Sequence, residues 1–155
     1  MVIPFDEILP GVREGRLAAG VIIHEGQLTY TEEGLHAVVD LGAWWREETG
    51  FPLPLGGNVI RKALGPETIQ TVSAVLGDSI AYGLAHREDA LSYAMRFARN
   101  LDRAQADRFV GMYVNEWTRG YGERGRRAIE VFLGRAAAAG LVAPVSVEFA
   151  GEPIC

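Results

Sequence analysis

Two hydrophobic patterns divide the chain near Gly65. Before this glycine, a continuous apolar run occupies residues 17–23 and a mostly apolar one occupies residues 35–41, a pattern typical of strands that are buried on both faces. After it, apolar residues recur every three or four positions, which is the helical period. The pattern therefore predicts a helical second half, preceded by strands at residues 2–5, 17–23, 35–41 and 58–64.

Residues that start and stop helices refine this outline. Asp6 can cap a helix that runs to about residue 15, and Gly50 is placed to end a helix over residues 41–49. Pro66 suits the first position of another helix, and three more are predicted from residue 87, around residues 109–117 and over residues 123–139. Apolar runs that alternate with helices predict an α/β fold with a parallel sheet. The strands are few for so many helices, so we expect an incomplete sheet.

Composition narrows the class of protein. The chain has 155 residues and a formal net charge of −5, whereas a nucleic-acid binder needs a basic surface. It has no apolar run of about 20 residues that would span a membrane, and its first residues lack the pattern of a signal peptide. Cys155 is the single cysteine, so neither a disulfide framework nor a thiolate metal site is expected. These features predict a cytoplasmic protein without nucleic-acid or membrane partners.

His24 is the strongest candidate for chemistry. It directly follows the apolar run at residues 17–23, and α/β sheets bind ligands at the carboxyl ends of their strands. Histidine changes its protonation state near neutral pH, which suits proton transfer. The alternative is a histidine that only ends the strand with hydrogen bonds. His36 and His86 are better explained as solvated side chains.

Aromatic residues supply the other candidates. Trp44 and Trp45 are neighbours on the helix predicted over residues 41–49, so their side chains point about 100° apart. One ring is expected in the core, and the other either in the core or on the wall of a cleft. The segment YVNEWTRGYG at residues 113–122 is rich in aromatic and polar side chains, and a helix face followed by a glycine turn explains it most simply.

Several segments together resemble a known enzyme family. These are IIHE at residues 22–25, LTY at 28–30, DLGAWW at 40–45, TGFPLPLG at 49–56, and Arg61. In this combination they resemble the 1,4-dihydroxy-6-naphthoate synthases of the futalosine route to menaquinone, and the similarity extends over essentially the whole chain. Chorismate dehydratase, a sister enzyme, shares the Thr-Gly-x-Pro pattern but lacks the IIHE segment and the paired tryptophans.

The resemblance implies a fold, a reaction and site residues. The implied fold is periplasmic-binding-protein-like, with two α/β lobes. Residues 1–55 would be the C-terminal part of the second lobe, and residues 56–155 the return strand and C-terminal helices of the first. The implied reaction is a carbon–carbon lyase step, without cofactor or metal, that converts cyclic dehypoxanthine futalosine into 1,4-dihydroxy-6-naphthoate. His24 would accept the proton, and Trp45, Leu55 and Gly56 would bind the substrate.

The chain also departs from the family pattern. The family has an N-terminal portion with a Ser-Pro-Cys-Pro-Asn-Asp-like stretch, which this sequence lacks. We therefore expect a fold that is incomplete at its N-terminus, and a fragment or half of a split enzyme whose partner is a separate N-terminal segment. A small-molecule binding module without chemistry remains the alternative from another class, and such a module would not need a base at position 24.

Overall fold

The structure, a computed structural model, describes residues 2–98 and 101–150, and Cys155 lies outside these ranges. The regular elements within them are all helical. In chain order the α-helices are α1 (Ile8–Arg13), α2 (Gly26–Thr29), α3 (Leu41–Thr49), α4 (Pro66–Ala85), α5 (Arg87–Ala94), α6 (Arg103–Tyr113), α7 (Glu116–Arg119) and α8 (Gly122–Ala138). Short 3-10 turns occupy Phe5–Glu7, Lys62–Leu64 and Met95–Phe97.

The predicted α/β, periplasmic-binding-protein-like fold is wrong for the described residues. No strand forms in them, and residues 17–23, 35–40 and 51–61 have no helical structure either. A strand needs a neighbour whose N–H and C=O groups pair with its own. Among the described residues, the backbone hydrogen bonds outside helices are all local, and the longest in sequence joins Leu17 to Gly11. The apolar runs were therefore wrongly predicted as strands, because the described residues provide no neighbouring strand that pairs with them.

The helical second half agrees with the periodicity. Helix α4 contacts α5 and α7, and α5 contacts α6. The Arg87 guanidinium joins α5 to α6, with Nε 2.8 Å from Oδ1 of Asp107 and Nη2 2.9 Å from its carbonyl oxygen. Asp102 caps α6 in a reciprocal capping box with Gln105, which satisfies backbone N–H groups at the start of the helix.

Residues that adjoin helix α3 in the sequence set both of its ends. Its bounds are Leu41 and Thr49, as predicted, because the Asp40 side chain accepts a hydrogen bond from the N–H of Ala43 at the start. Gly50 ends the helix with a left-handed backbone, φ 72°, a conformation that glycine adopts without steric cost. The predicted division of the chain between residues 55 and 56 stays a prediction.

The core is small. Within the described ranges the buried hydrophobic residues are Leu9, Trp45, Leu91, Ala106 and Ala128. The Trp45 ring meets the edge of Phe132 with centroids 5.4 Å apart, and this contact packs α3 against α8. Arg124 of α8 adds a hydrogen bond of 2.9 Å to the carbonyl oxygen of Gly50.

Candidate active site

His24 lies in a turn that leads into helix α2, and not at the end of a strand as predicted. Its Nδ1 accepts a hydrogen bond of 3.0 Å from the N–H of Gly26. The Phe5 ring covers it, with ring centroids 5.2 Å apart and planes tilted by 47°. The side chain is only 14% exposed. The ring is therefore largely shielded from water, as a group that exchanges protons with a bound substrate needs to be.

The second ring nitrogen of His24 has an unusual environment. Nε2 is buried and has no hydrogen-bond partner among the described residues. Buried polar atoms are nearly always paired, with protein or with water. Nε2 is thus an unpaired polar atom that the surrounding residues close off, and a ligand atom reaches it only when those residues move.

Tyr113, at the end of α6, connects this turn to the rest of the molecule. Its hydroxyl donates a short hydrogen bond to the carbonyl oxygen of Ile23, and accepts one of 3.0 Å from Nε2 of Gln27. These bonds hold the chain on both sides of His24. Tyr113 was not predicted as a site residue, because the contact joins positions 90 residues apart in sequence.

A cavity of about 380 Å³ lies between the Pro-Leu-Pro-Leu-Gly segment and the C-terminal helices. Its volume is within the range typical of small-molecule sites. One wall is residues 52–58, which include the predicted Leu55 and Gly56, and the other is formed largely by the side chains of Met112, Tyr113, Asn115, Trp117, Thr118, Tyr121 and Ile129. This aromatic wall was not predicted, although its density of aromatic residues in the sequence was a usable signal.

A capped turn shapes the aromatic wall. The Asn115 side chain accepts a hydrogen bond of 3.0 Å from the N–H of Trp117, and Thr118 donates one of 2.5 Å to the carbonyl oxygen of Tyr113. Close packing adds to this, since a Cβ at Gly57 would lie 2.9 Å from the Tyr121 hydroxyl oxygen. The capped turn thus fixes one side of the aromatic wall, and on the other side Tyr121 packs closely against Gly57.

The tryptophan pair divides between interior and surface. Trp45 is 6% exposed and Trp44 is 47% exposed. Besides Phe132, Trp45 contacts Arg135, whose guanidinium carbon is 5.4 Å from the ring centroid. Neither tryptophan lines the cavity. The structure therefore brings Leu55 and Gly56 together with the aromatic wall and leaves Trp45 apart from them. His24 does not line this cavity, and Tyr113, which does, is bonded to the carbonyl oxygen of the preceding Ile23.

Two further features of the described residues concern metal ions and membranes. No three His, Cys, Asp or Glu side chains lie close enough together there to hold a metal ion. None of the helices in these ranges is sufficiently long and apolar to cross a lipid bilayer.

Comparison with known proteins identifies the class. Residues 1–138 match a family model described as menaquinone biosynthesis, and the chain belongs to this family. Two relatives are named 1,4-dihydroxy-6-naphthoate synthase. The one from Streptomyces coelicolor is 42% identical over 92% of this chain and 50% of its own length. The one from Thermus thermophilus is 45% identical over 90% of this chain and 52% of its own length. The resemblance found in the sequence is confirmed.

A solved structure is similar as well. A crystal structure of a protein from Archaeoglobus fulgidus has a TM-score of 0.86 and 41% sequence identity, covering 90% of this chain and 53% of that one. The chain thus spans about half the length of the relatives that it matches.

Proposed function

We propose that this chain provides part of a 1,4-dihydroxy-6-naphthoate synthase, a lyase that converts cyclic dehypoxanthine futalosine into 1,4-dihydroxy-6-naphthoate in menaquinone biosynthesis. The observation that carries this proposal is the identity of 42% and 45%, across nine-tenths of the chain, to two relatives with that name. The same names favour the synthase over a chorismate dehydratase and over a binding module without chemistry.

His24 is the proposed general base. The substrate must lose a proton from carbon before its carbon–carbon bond breaks, and formation of the aromatic ring then favours the products. A shielded imidazole supports such a step because it meets little competition from water. The low exposure of the His24 side chain is consistent with this role.

The cavity beside the Pro-Leu-Pro-Leu-Gly segment is the proposed place for the flat ring system. Leu55 and Gly56 supply one wall, and Trp117 and Tyr121 supply aromatic faces on the other. Aromatic side chains favour offset or edge contacts with another ring. Trp45 packs in the core, so its proposed contribution to substrate binding is to hold helix α3 in place rather than to touch the ring.

The proposed partner is a second polypeptide segment that corresponds to the half of the relatives that this chain does not match. Activity of the whole enzyme then requires both segments. The test is genetic: a menaquinone-dependent host without its own naphthoate synthase receives this chain, the unmatched half of the Thermus thermophilus relative, or both. We expect growth only with both, and growth lost again with His24→Gln. Growth failure with both segments, while the intact relative rescues, would contradict the proposal.

A further inference from the structure

We propose that Glu25 is a positioning residue for His24, because it competes with the backbone N–H of Gly26 for the Nδ1 atom of the imidazole. The inference rests on the proposed role of His24 as a proton acceptor. It concerns which ring nitrogen carries the proton before a substrate binds.

The hydrogen bond from the Gly26 N–H determines which ring nitrogen of His24 carries the proton in the structure. A neutral imidazole has one N–H donor and one acceptor nitrogen. Since Gly26 donates to Nδ1 at 3.0 Å, Nδ1 is the acceptor and the proton lies on Nε2. In this tautomer Nε2 can only act as a hydrogen-bond donor and cannot accept a proton. The bond that orients the ring therefore opposes the chemistry proposed for it.

Glu25 favours the other tautomer, in which Nδ1 carries the proton. Its Oε2 lies 3.8 Å from Nδ1, which is too far for a hydrogen bond but within reach of a small side-chain rotation. When Nδ1 carries the proton, it donates to this carboxylate and Nε2 gains a lone pair. The ring keeps its charge, because one proton leaves Nε2 for water and another enters at Nδ1. A carboxylate partner on one nitrogen commonly fixes the tautomer of histidine in this way.

Packing keeps Gly26 beside Nδ1. Gly26 is buried, and a Cβ at this position would lie 2.7 Å from Cε1 of His24 and 2.6 Å from Cδ1 of Leu9. The imidazole therefore lies directly against the backbone of residue 26, with the Phe5 ring also in contact. Since the ring has little room to move, a proton on Nδ1 requires the Glu25 side chain to rotate towards this atom and the Gly26 N–H to turn away from it.

The proposal is tested by nitrogen NMR on the 155-residue chain, labelled with ¹⁵N only in its histidine rings and kept dilute. The three histidines are assigned with His36→Gln and His86→Gln. Long-range proton–nitrogen spectra are recorded at about pH 8, above the ordinary range of histidine titration. We expect the wild-type His24 to show a population with the proton on Nδ1, and Glu25→Gln to lose it, so that only the form with the proton on Nε2 remains.

Glu32→Gln is the matched control, because it removes an exposed carboxylate seven residues after Glu25 and leaves the surroundings of the His24 ring unchanged. It should give the wild-type spectrum. The proposal is overturned if wild-type His24 carries its proton only on Nε2, if Glu25→Gln keeps the wild-type mixture, or if Glu32→Gln changes it equally. The wild-type spectrum decides even if Glu25→Gln fails to fold. The readout needs no substrate, so failure of the lyase assignment would not be confused with failure of this one.

Discussion

At the scale of single residues, His24 is held by contacts that the chain itself provides. The Gly26 N–H fixes Nδ1, the Phe5 ring covers the imidazole, and Tyr113 holds the preceding carbonyl. The sequence could flag His24 by its residue type and its family motif, but not these partners. Tyr113 lies 90 residues from Ile23, and no local pattern announces such a contact.

Replacing His24 tests its role in catalysis. A positioned acid–base group contributes about 10²–10⁴-fold to turnover, so His24→Gln should lower the rate of naphthoate formation by that factor in the assembled enzyme. His36→Gln, at an exposed histidine, is the control and should retain the wild-type rate. A His24→Gln variant with unimpaired turnover would end the assignment.

The tryptophan pair permits a matched test of stability. Trp45 is 6% exposed whereas Trp44 is 47% exposed. Truncating a buried tryptophan costs about 3–5 kcal/mol, so Trp45→Ala should lower the free energy of unfolding by that amount. Trp44→Ala should cost clearly less, because its ring already meets water. Denaturant unfolding of both variants measures the difference, and equal losses would show that the two rings are packed alike.

At the scale of elements, most local signals succeeded and non-local ones failed. The exception is Asp6, which caps no helix and lies within the 3-10 turn at Phe5–Glu7. Gly50 ends α3 and Pro66 begins α4 as predicted, whereas the Asp40 cap of α3 was not predicted. Helix ends of this kind depend on neighbours in sequence. The apolar run at residues 17–23 forms no strand, since a strand depends on a partner that sequence pattern does not reveal. The cavity depends on both kinds of signal. Neighbours in sequence form the turn that carries the aromatic wall, whereas the segment that faces this wall is distant in sequence.

Asn115 provides the test at this scale. Its side chain accepts from Trp117 and so caps the turn that carries the aromatic wall. Loss of such a cap costs about 0.5–2 kcal/mol, and Asn115→Ala should show this in thermal or denaturant unfolding. Asn58 also lines the cavity but caps no helix, so Asn58→Ala should leave the unfolding free energy nearly unchanged. Equal effects would mean that the cap does not stabilise the turn.

At the scale of the whole molecule, the accessible surface of the chain is larger than that of a compact monomer of the same mass. Its accessible surface is 11,656 Å² for 16.9 kDa, whereas a compact monomer of this mass exposes about 7,700 Å². Large apolar side chains contribute to this surface, among them Val38 at 90% and Val59 at 97% exposure. The chain also spans about half the length of the relatives that it matches. Both findings support a second segment that covers these residues.

The exposed apolar surface predicts self-association. Contiguous apolar patches that are not covered favour pairing or aggregation. Light scattering coupled to size exclusion should therefore show a mass for the purified chain that rises with its concentration. Adding the unmatched half of the Thermus thermophilus relative should replace this with a discrete complex. A chain that stays monomeric at all concentrations would argue against an uncovered surface.

Turnover by purified segments decides whether this chain is one part of a naphthoate synthase that works only with a second segment. Cyclic dehypoxanthine futalosine is supplied to this chain, to the complementing half of the Thermus thermophilus relative, and to the two together, and 1,4-dihydroxy-6-naphthoate is measured by mass spectrometry. We expect product only from the two segments together, with the rate reduced about 10²–10⁴-fold by His24→Gln. Sustained product formation by the 155-residue chain alone, or an active mixture that is indifferent to His24→Gln, would contradict this expectation.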